Sequence, residues 1–184
     1  MAKFRSYVHP LTVVIRHILD SAPSPIVVEY GPGYSTVLMK RLAPRSTIVT
    51  IEDRAEWYEK ARAEFEAAGL EGVTLLRRDV GDGYVKAPDE HVRPGTADLV
   101  FVDARKRAAC LRHARALVRP GRGIVLLHDA ERPVYRLGFL RWKRSCRIWH
   151  GGTMNWTLVL TPDRETAKLL RERIRAGERA SLSG

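Results

Sequence analysis

Residues 26–36 read IVVEYGPGYST: an apolar, partly β-branched run leads straight into Gly31-Pro32-Gly33 and then into Ser35-Thr36. The run 26–30 predicts a buried strand. The segment after the glycines predicts a helix over 35–42, ended by Pro44. A strand that enters a helix through a glycine turn lets the backbone approach a ligand closely. The helix start supplies free N–H groups and a positive dipole end.

The same alternation continues outward. Residues 47–51 (TIVTI), 73–76, 98–102 (DLVFV) and 124–127 (IVLL) predict further strands. Helices are expected between them over 55–68 and 106–118. In the first, Trp57, Ala61, Phe65 and Ala68 fall near one face and Gly69 supplies the stop. A basic helix near 133–143 follows, then strands at 146–149 and 156–160. The gap between those last two is too short for a helical crossover, so they should pair antiparallel. A helix around 10–20 precedes the core of about 24–161, and a charged helix over 164–175 leads to a polar, frayed tail. Strand–helix alternation of this kind predicts an α/β doubly wound sheet with helices on both faces. With 184 residues, no repeat and no long linker, one domain over 1–184 is expected.

In this architecture ligands bind at the carboxyl ends of the strands. Three acids stand there. Glu29 precedes the glycine turn, where its charge would repel a pyrophosphate but suit a ligand with an ammonium group. Glu52, with Asp53, lies 21 residues past Gly31, the distance at which an acid accepts hydrogen bonds from ribose hydroxyls. Asp79 follows the third strand, where an adenine amino group would be met. A dinucleotide fingerprint wants a third glycine where Thr36 stands, which disfavours a nicotinamide dehydrogenase.

VVEYGPGYST, TIVTIEDRAEWYEKAR, LLRRDV and ADLVFVDARKRAACLRHARALVRPGRGIVLLHDAERPVY together resemble a class I S-adenosylmethionine-dependent methyltransferase of small bacterial type, over residues 24–161. The resemblance implies a Rossmann-like seven-stranded sheet of order 3-2-1-4-5-7-6 with strand 7 antiparallel. It implies that Glu29, Gly31 and Gly33 hold the methionine part of the cofactor, Glu52 the ribose, and Asp79 with Val80 the adenine. Tyr30, Ser35, Thr36 and Asp53 complete the cofactor set.

Methyl transfer is an in-line displacement, so alignment and deprotonation of the acceptor are the enzyme's main tasks. The fourth strand ends at Asp103 and the fifth at His128-Asp129; these side chains should converge. His128 has the ordinary titration range of a base. Lys106 would serve if burial lowered its affinity for a proton. The segment also resembles the metal-dependent catechol-type O-methyltransferases. Asp103, Asp129 and Lys106 match two metal-binding acids and the lysine, which implies Mg²⁺ on Asp103 and Asp129. Ala130 stands where that family's asparagine ligand belongs.

No N-P-P-Y or D-P-P-Y run occurs, and no Pro-Cys nucleophile follows the fourth strand. An acceptor oxygen is left by exclusion, on a small molecule or saccharide. Cys110 and Cys146 fit buried thiols of a reducing cytoplasm. Trp142, Trp149 and Trp156 fit core packing better than an acceptor pocket. No apolar run reaches the roughly 20 residues of a membrane span, and no signal peptide is recognised.

The net charge of +11 is unevenly spread. Residues 1–100 carry 13 basic and 14 acidic side chains, whereas residues 101–184 carry 19 and 7. That half would attract an anionic acceptor, or the phosphates of RNA, or serve solubility alone. The rival functions are therefore an RNA methyltransferase and a non-catalytic nucleoside-binding protein whose basic face docks an anionic partner.

Overall fold

Alternating β-branched runs and amphipathic segments build a seven-stranded sheet with helices on both faces. The computed structural model describes residues 10–20, 22–149 and 156–182. The strands are β1 (Ile26–Tyr30), β2 (Thr47–Glu52), β3 (Val73–Arg77), β4 (Leu99–Val102), β5 (Ile124–Leu127), β6 (Lys143–Trp149) and β7 (Trp156–Thr161). The helices are α1 (Pro10–Asp20), α2 (Tyr34–Leu42), α3 (Ala55–Ala67), α4 (Asp82–Lys86), α5 (Arg107–Leu117) and α6 (Arg164–Leu182). The strand order is β3-β2-β1-β4-β5-β7-β6. Strands β1 to β5 pair parallel, and β7 pairs antiparallel with both β5 and β6. This is the order implied by the resemblance.

Strand alternation sends side chains to opposite faces. Val28, Tyr30, Val100, Val102, Val125 and Leu127 pack on one face with Leu111 and Leu117 of α5. Val27, Leu99, Phe101, Ile124 and Leu126 pack on the other with Ile15, Leu19, Met39 and Leu170. The central parallel strands β1, β2, β4 and β5 are buried on both faces, which is why they read as near-continuous apolar runs, whereas β3 at the sheet edge is only half-buried. Among the described residues, no helix is long and apolar enough to cross a membrane.

Several local expectations need correction. The basic helix near 133–143 is a 3₁₀ segment, Pro133–Gly138, and β6 already begins at Lys143. A Cβ on Gly138 would lie 2.7 Å from the Ala108 Cα, so close docking on α5 ends the segment there. The C-terminal helix runs on to Leu182, past the expected end at 175, on a sequence rich in strong helix formers. Trp57 is 42 % exposed, with Arg54 and Lys60 over its ring at 4.9 and 4.7 Å. The inward stripe of α3 is Ala61 and Phe65 only. Helix α4 was not expected, because five residues give no readable period. Trp142 is core, donating from Nε1 to the Leu111 carbonyl at 3.2 Å, and Trp156 is half-buried. The Trp149 side chain lies outside the described residues. Cys110 is buried and Cys146 half-buried, and no disulfide joins them.

At the amino end of the sheet, Asp98 is buried. Its Oδ2 accepts the Ile26 N–H at 3.0 Å, and its Oδ1 pairs with Arg119 at 2.8 Å and Arg122 at 3.0 Å. One carboxylate thus ties the start of β1 to the loop before β5. Asp98→Ala would strand that N–H and two cations, and should cost about 2 kcal/mol in urea unfolding.

Candidate functional site

The parallel strands finish level with one another. Gly31 N–H donates to the Ile51 carbonyl (3.0 Å), Asp103 N–H to Tyr30 (2.9 Å) and His128 N–H to Val102 (3.0 Å). The residues just beyond β1, β4 and β5 therefore share one edge, at the point where the strand order reverses between β1 and β4.

The turn after β1 is built from its smallest residue. Gly31 has φ +95°, and a Cβ there would lie 2.5 Å from the Asp103 backbone oxygen. The turn is thus pressed against the loop after β4. Around Gly33 the opposite holds: a Cβ would meet nothing within 4 Å. The turn is closed toward the sheet and open toward solvent.

Glu29 lies beneath it, fully buried. Ser35 Oγ donates to its Oε1 and Thr36 Oγ1 to its Oε2, each at 2.5 Å. Thr36 Oγ1 in turn accepts the Gly33 N–H at 3.1 Å. The carboxylate anchors the start of α2 through two hydroxyls. Burial dominates its protonation and lifts its pKa to about 7, against the hydrogen bonds, with Asp103 adding to the rise.

At the end of β2, the buried Glu52 accepts the N–H groups of Asp53 (3.0 Å) and Arg54 (2.9 Å) on Oε1. Asp53 pairs with Arg105 at 3.1 Å. Since β1 lies between β2 and β4, this pair links the loops on either side of the β1 end. Asp79 stands exposed after β3, with Val80 half-buried beside it. Tyr30 departs from the expected set: its side chain faces the core, donating from its hydroxyl to the Val85 carbonyl at 2.7 Å.

On the β4–β5 side, Asp103, His128 and Asp129 come together as expected. His128 Nδ1 lies 3.3 Å from Asp103 Oδ1 and 3.0 Å from Asp129 Oδ1. The hydrogen bond with Asp103 raises the proton affinity of the imidazole most, ahead of the charges of Asp103 and Asp129; burial and Arg107 oppose it. Asp129 adopts φ +51°, a left-handed turn that Asp tolerates better than most residues. This breaks strand alternation, so adjacent side chains reach one cluster.

Lys106 does not join it. It is exposed with φ +55° ahead of α5, and the burial its role as a base requires is missing. The chain instead turns Arg107 inward. Its Nη2 lies 2.9 Å from Asp103 Oδ1 and its Nη1 3.0 Å from Asp129 Oδ2, with Nη1 also donating to the His128 carbonyl at 2.6 Å. Arg105 and Arg107 are the two site residues that sequence reasoning missed. The only signal was Arg107 standing four residues after Asp103.

No family model matches the chain. Catechol O-methyltransferase B of Danio rerio is 34% identical over 93 residues, which cover 47% of this chain; the match spans about a third (35%) of that protein. Among solved structures, TrmN from Thermus thermophilus superposes with a TM-score of 0.63 at 20% identity, covering 86% of this chain and 50% of that one. The chain shares the fold of solved S-adenosylmethionine-dependent methyltransferases. TYW2 of M. jannaschii, solved in complex with AdoMet, agrees with a TM-score of 0.54 at 17% identity over 84% of this chain and 75% of its own. The Gly31 turn, Glu52 and Asp79 follow β1, β2 and β3 along the same edge of the sheet. An open face at Gly33 and buried carboxylates at Glu29 and Glu52 fit a cationic nucleoside.

The donor set does not fit a divalent cation equally well. One ligand atom each from Asp103, His128 and Asp129 lie within 4.8 Å of one another, a spacing that metals use. Both carboxylates, however, are already paired with Arg107, and Arg132 stands 3.5 Å from Asp129 Oδ2. Ala130, at the asparagine position, is buried and offers no donor.

Proposed function

We propose that the chain binds S-adenosylmethionine on a single α/β domain and transfers its methyl group to an oxygen of an anionic small molecule, a saccharide acid included. The observation that carries this reading is the contact between Gly31 and Asp103. It joins the cofactor turn to the Asp103–His128–Asp129 cluster without a gap.

S-adenosylmethionine, when bound, supplies an electrophilic methyl carbon. Gly31, Gly33 and the start of α2 would hold its methionine end, Glu52 its ribose, and Asp79 with Val80 its adenine. Ser35 and Thr36, oriented by Glu29, keep the turn in shape. Asp103 and Asp129 hold a proton on His128 Nδ1, which leaves Nε2 to accept the proton of an acceptor hydroxyl. The charge of the acceptor is read from the segment after β5. Residues 132–162 contain no acid and six cations, beginning with Arg132 and Arg136. Exposed Val134, Leu137 and Leu140 lie among them and offer an apolar body something to rest on.

Calorimetric titration tests the reading. The protein should bind S-adenosylmethionine with a dissociation constant of about 1–100 μM and show no NAD⁺ binding in the same range. A screen of hydroxylated anions should then find turnover. Tighter binding of NAD⁺ would overturn the proposal. Binding of S-adenosylmethionine with turnover only on RNA would keep the cofactor and replace the acceptor. Binding with no turnover on any acceptor would favour a non-catalytic nucleoside-binding protein.

A further inference from the structure

Two acids at the ends of adjacent strands repel one another and attract the same cation. Something must neutralise them. Here the neutralising charge is internal. Arg107 is buried, and its two terminal nitrogens reach Asp103 and Asp129 separately, at 2.9 and 3.0 Å. Its Nε donates to the Ala104 carbonyl at 2.8 Å, and Tyr135 lies against the guanidinium with its ring centre 5.3 Å away. A planar fork held on both sides in this way cannot swing aside cheaply.

We infer that Arg107 takes the place of a divalent cation at this site, bridging Asp103 and Asp129 so that the His128 base is positioned with no metal bound. The inference deepens the methyl-transfer reading by specifying a metal-independent mode of action. Arg107 is a positioning residue: it acts on His128 through both carboxylates and through the His128 carbonyl. The balance of charge supports it. Two carboxylates face one guanidinium at close range and Arg132 at 3.5 Å, so no surplus negative charge remains to draw in a dication.

The test is Mn²⁺ binding followed by electron paramagnetic resonance, which needs neither S-adenosylmethionine nor an acceptor. The wild-type chain should show no saturable site tighter than about 1 mM. Arg107→Met, which removes the charge and keeps an apolar stem, should gain one site at least about tenfold tighter. Adding Asp129→Asn to that variant should abolish it. A saturable site in the wild type that Asp129→Asn removes would overturn the inference. So would a folded Arg107→Met, by circular dichroism, that gains no site. If Arg107→Met does not fold, the wild-type titration decides alone. Failure of S-adenosylmethionine binding would sink the proposed function and leave these outcomes readable.

Discussion

A Gly31→Ala protein should melt roughly 10 °C below the wild type and lose measurable binding of S-adenosylmethionine. Two costs add. The position has φ +95°, where a side chain is strained by about 1–2 kcal/mol. The new Cβ would also lie 2.5 Å from the Asp103 carbonyl oxygen, which is fixed backbone at the end of β4. Overpacking against such a neighbour costs about 1–3 kcal/mol. The sum, about 4 kcal/mol, corresponds to the stated change in melting temperature for a domain of this size at roughly 2–4 °C per kcal/mol. Gly33→Ala is the matched control. Its φ of 167° is extended, and nothing lies within 4 Å of the new methyl. Its stability should stay within about 0.5 kcal/mol. Any loss of affinity in Gly33→Ala therefore reports crowding of the ligand itself. Equal melting temperatures for Gly31→Ala and wild type would refute the close packing of the turn on β4. Differential scanning calorimetry with and without ligand measures both.

These two glycines look alike in GPG, and the sequence alone cannot rank them. What was legible is the scaffold. Parallel strands buried on both faces must be apolar throughout, so IVVEY, TIVTI and IVLL announce themselves, and a short gap forces β6 and β7 antiparallel. Convergence of Asp103 with His128-Asp129 followed from the strand order. What was hidden depends on single dihedrals and long side chains. In ARKRA, three consecutive cations offer themselves to Asp103. The left-handed turn at Lys106 decides the matter by throwing Lys106 outward and Arg107 inward. Arg105 finds Asp53 across the sheet, 52 residues away, which no local pattern encodes. Asp98 read only as the first residue of the DLVFV strand, and its tie across the sheet end was hidden because its three partners come from β1 and from two arginines in a basic run. The 3₁₀ segment after Pro133 was hidden for a related reason: its end is set by how closely Gly138 docks on α5.

Glu29 should give the wild type a stability that declines as the solution turns from acid to neutral. The carboxyl keeps its proton to about pH 7 in the folded chain, whereas an ordinary glutamate loses it near 4.5. Between those values the folded state binds more protons than the unfolded one, so stability falls with rising pH. One proton held across this pH window is worth about 3 kcal/mol, at about 1.4 kcal/mol for each pH step of one. Below pH 4.5 and above pH 7 this group contributes no further slope. Glu29→Gln removes the titration, so the stability of wild type relative to Glu29→Gln should fall by about 3 kcal/mol between roughly pH 4.5 and 8. Urea unfolding across that range measures this; parallel curves for the two proteins would refute it. The ligand reports on the same group. An ammonium placed near Glu29 favours the ionised carboxylate, so binding of S-adenosylmethionine at about pH 6.5 should release a proton. Calorimetry in buffers of different ionisation heat detects that release, and Glu29→Gln should abolish it while weakening binding by at least about tenfold, or 1.4 kcal/mol. Binding without proton release in the wild type would confine Glu29 to its hydrogen bonds with Ser35 and Thr36. The carboxylate would then shape the turn from below, and recognition of the ammonium would fall to groups on the open side of Gly33.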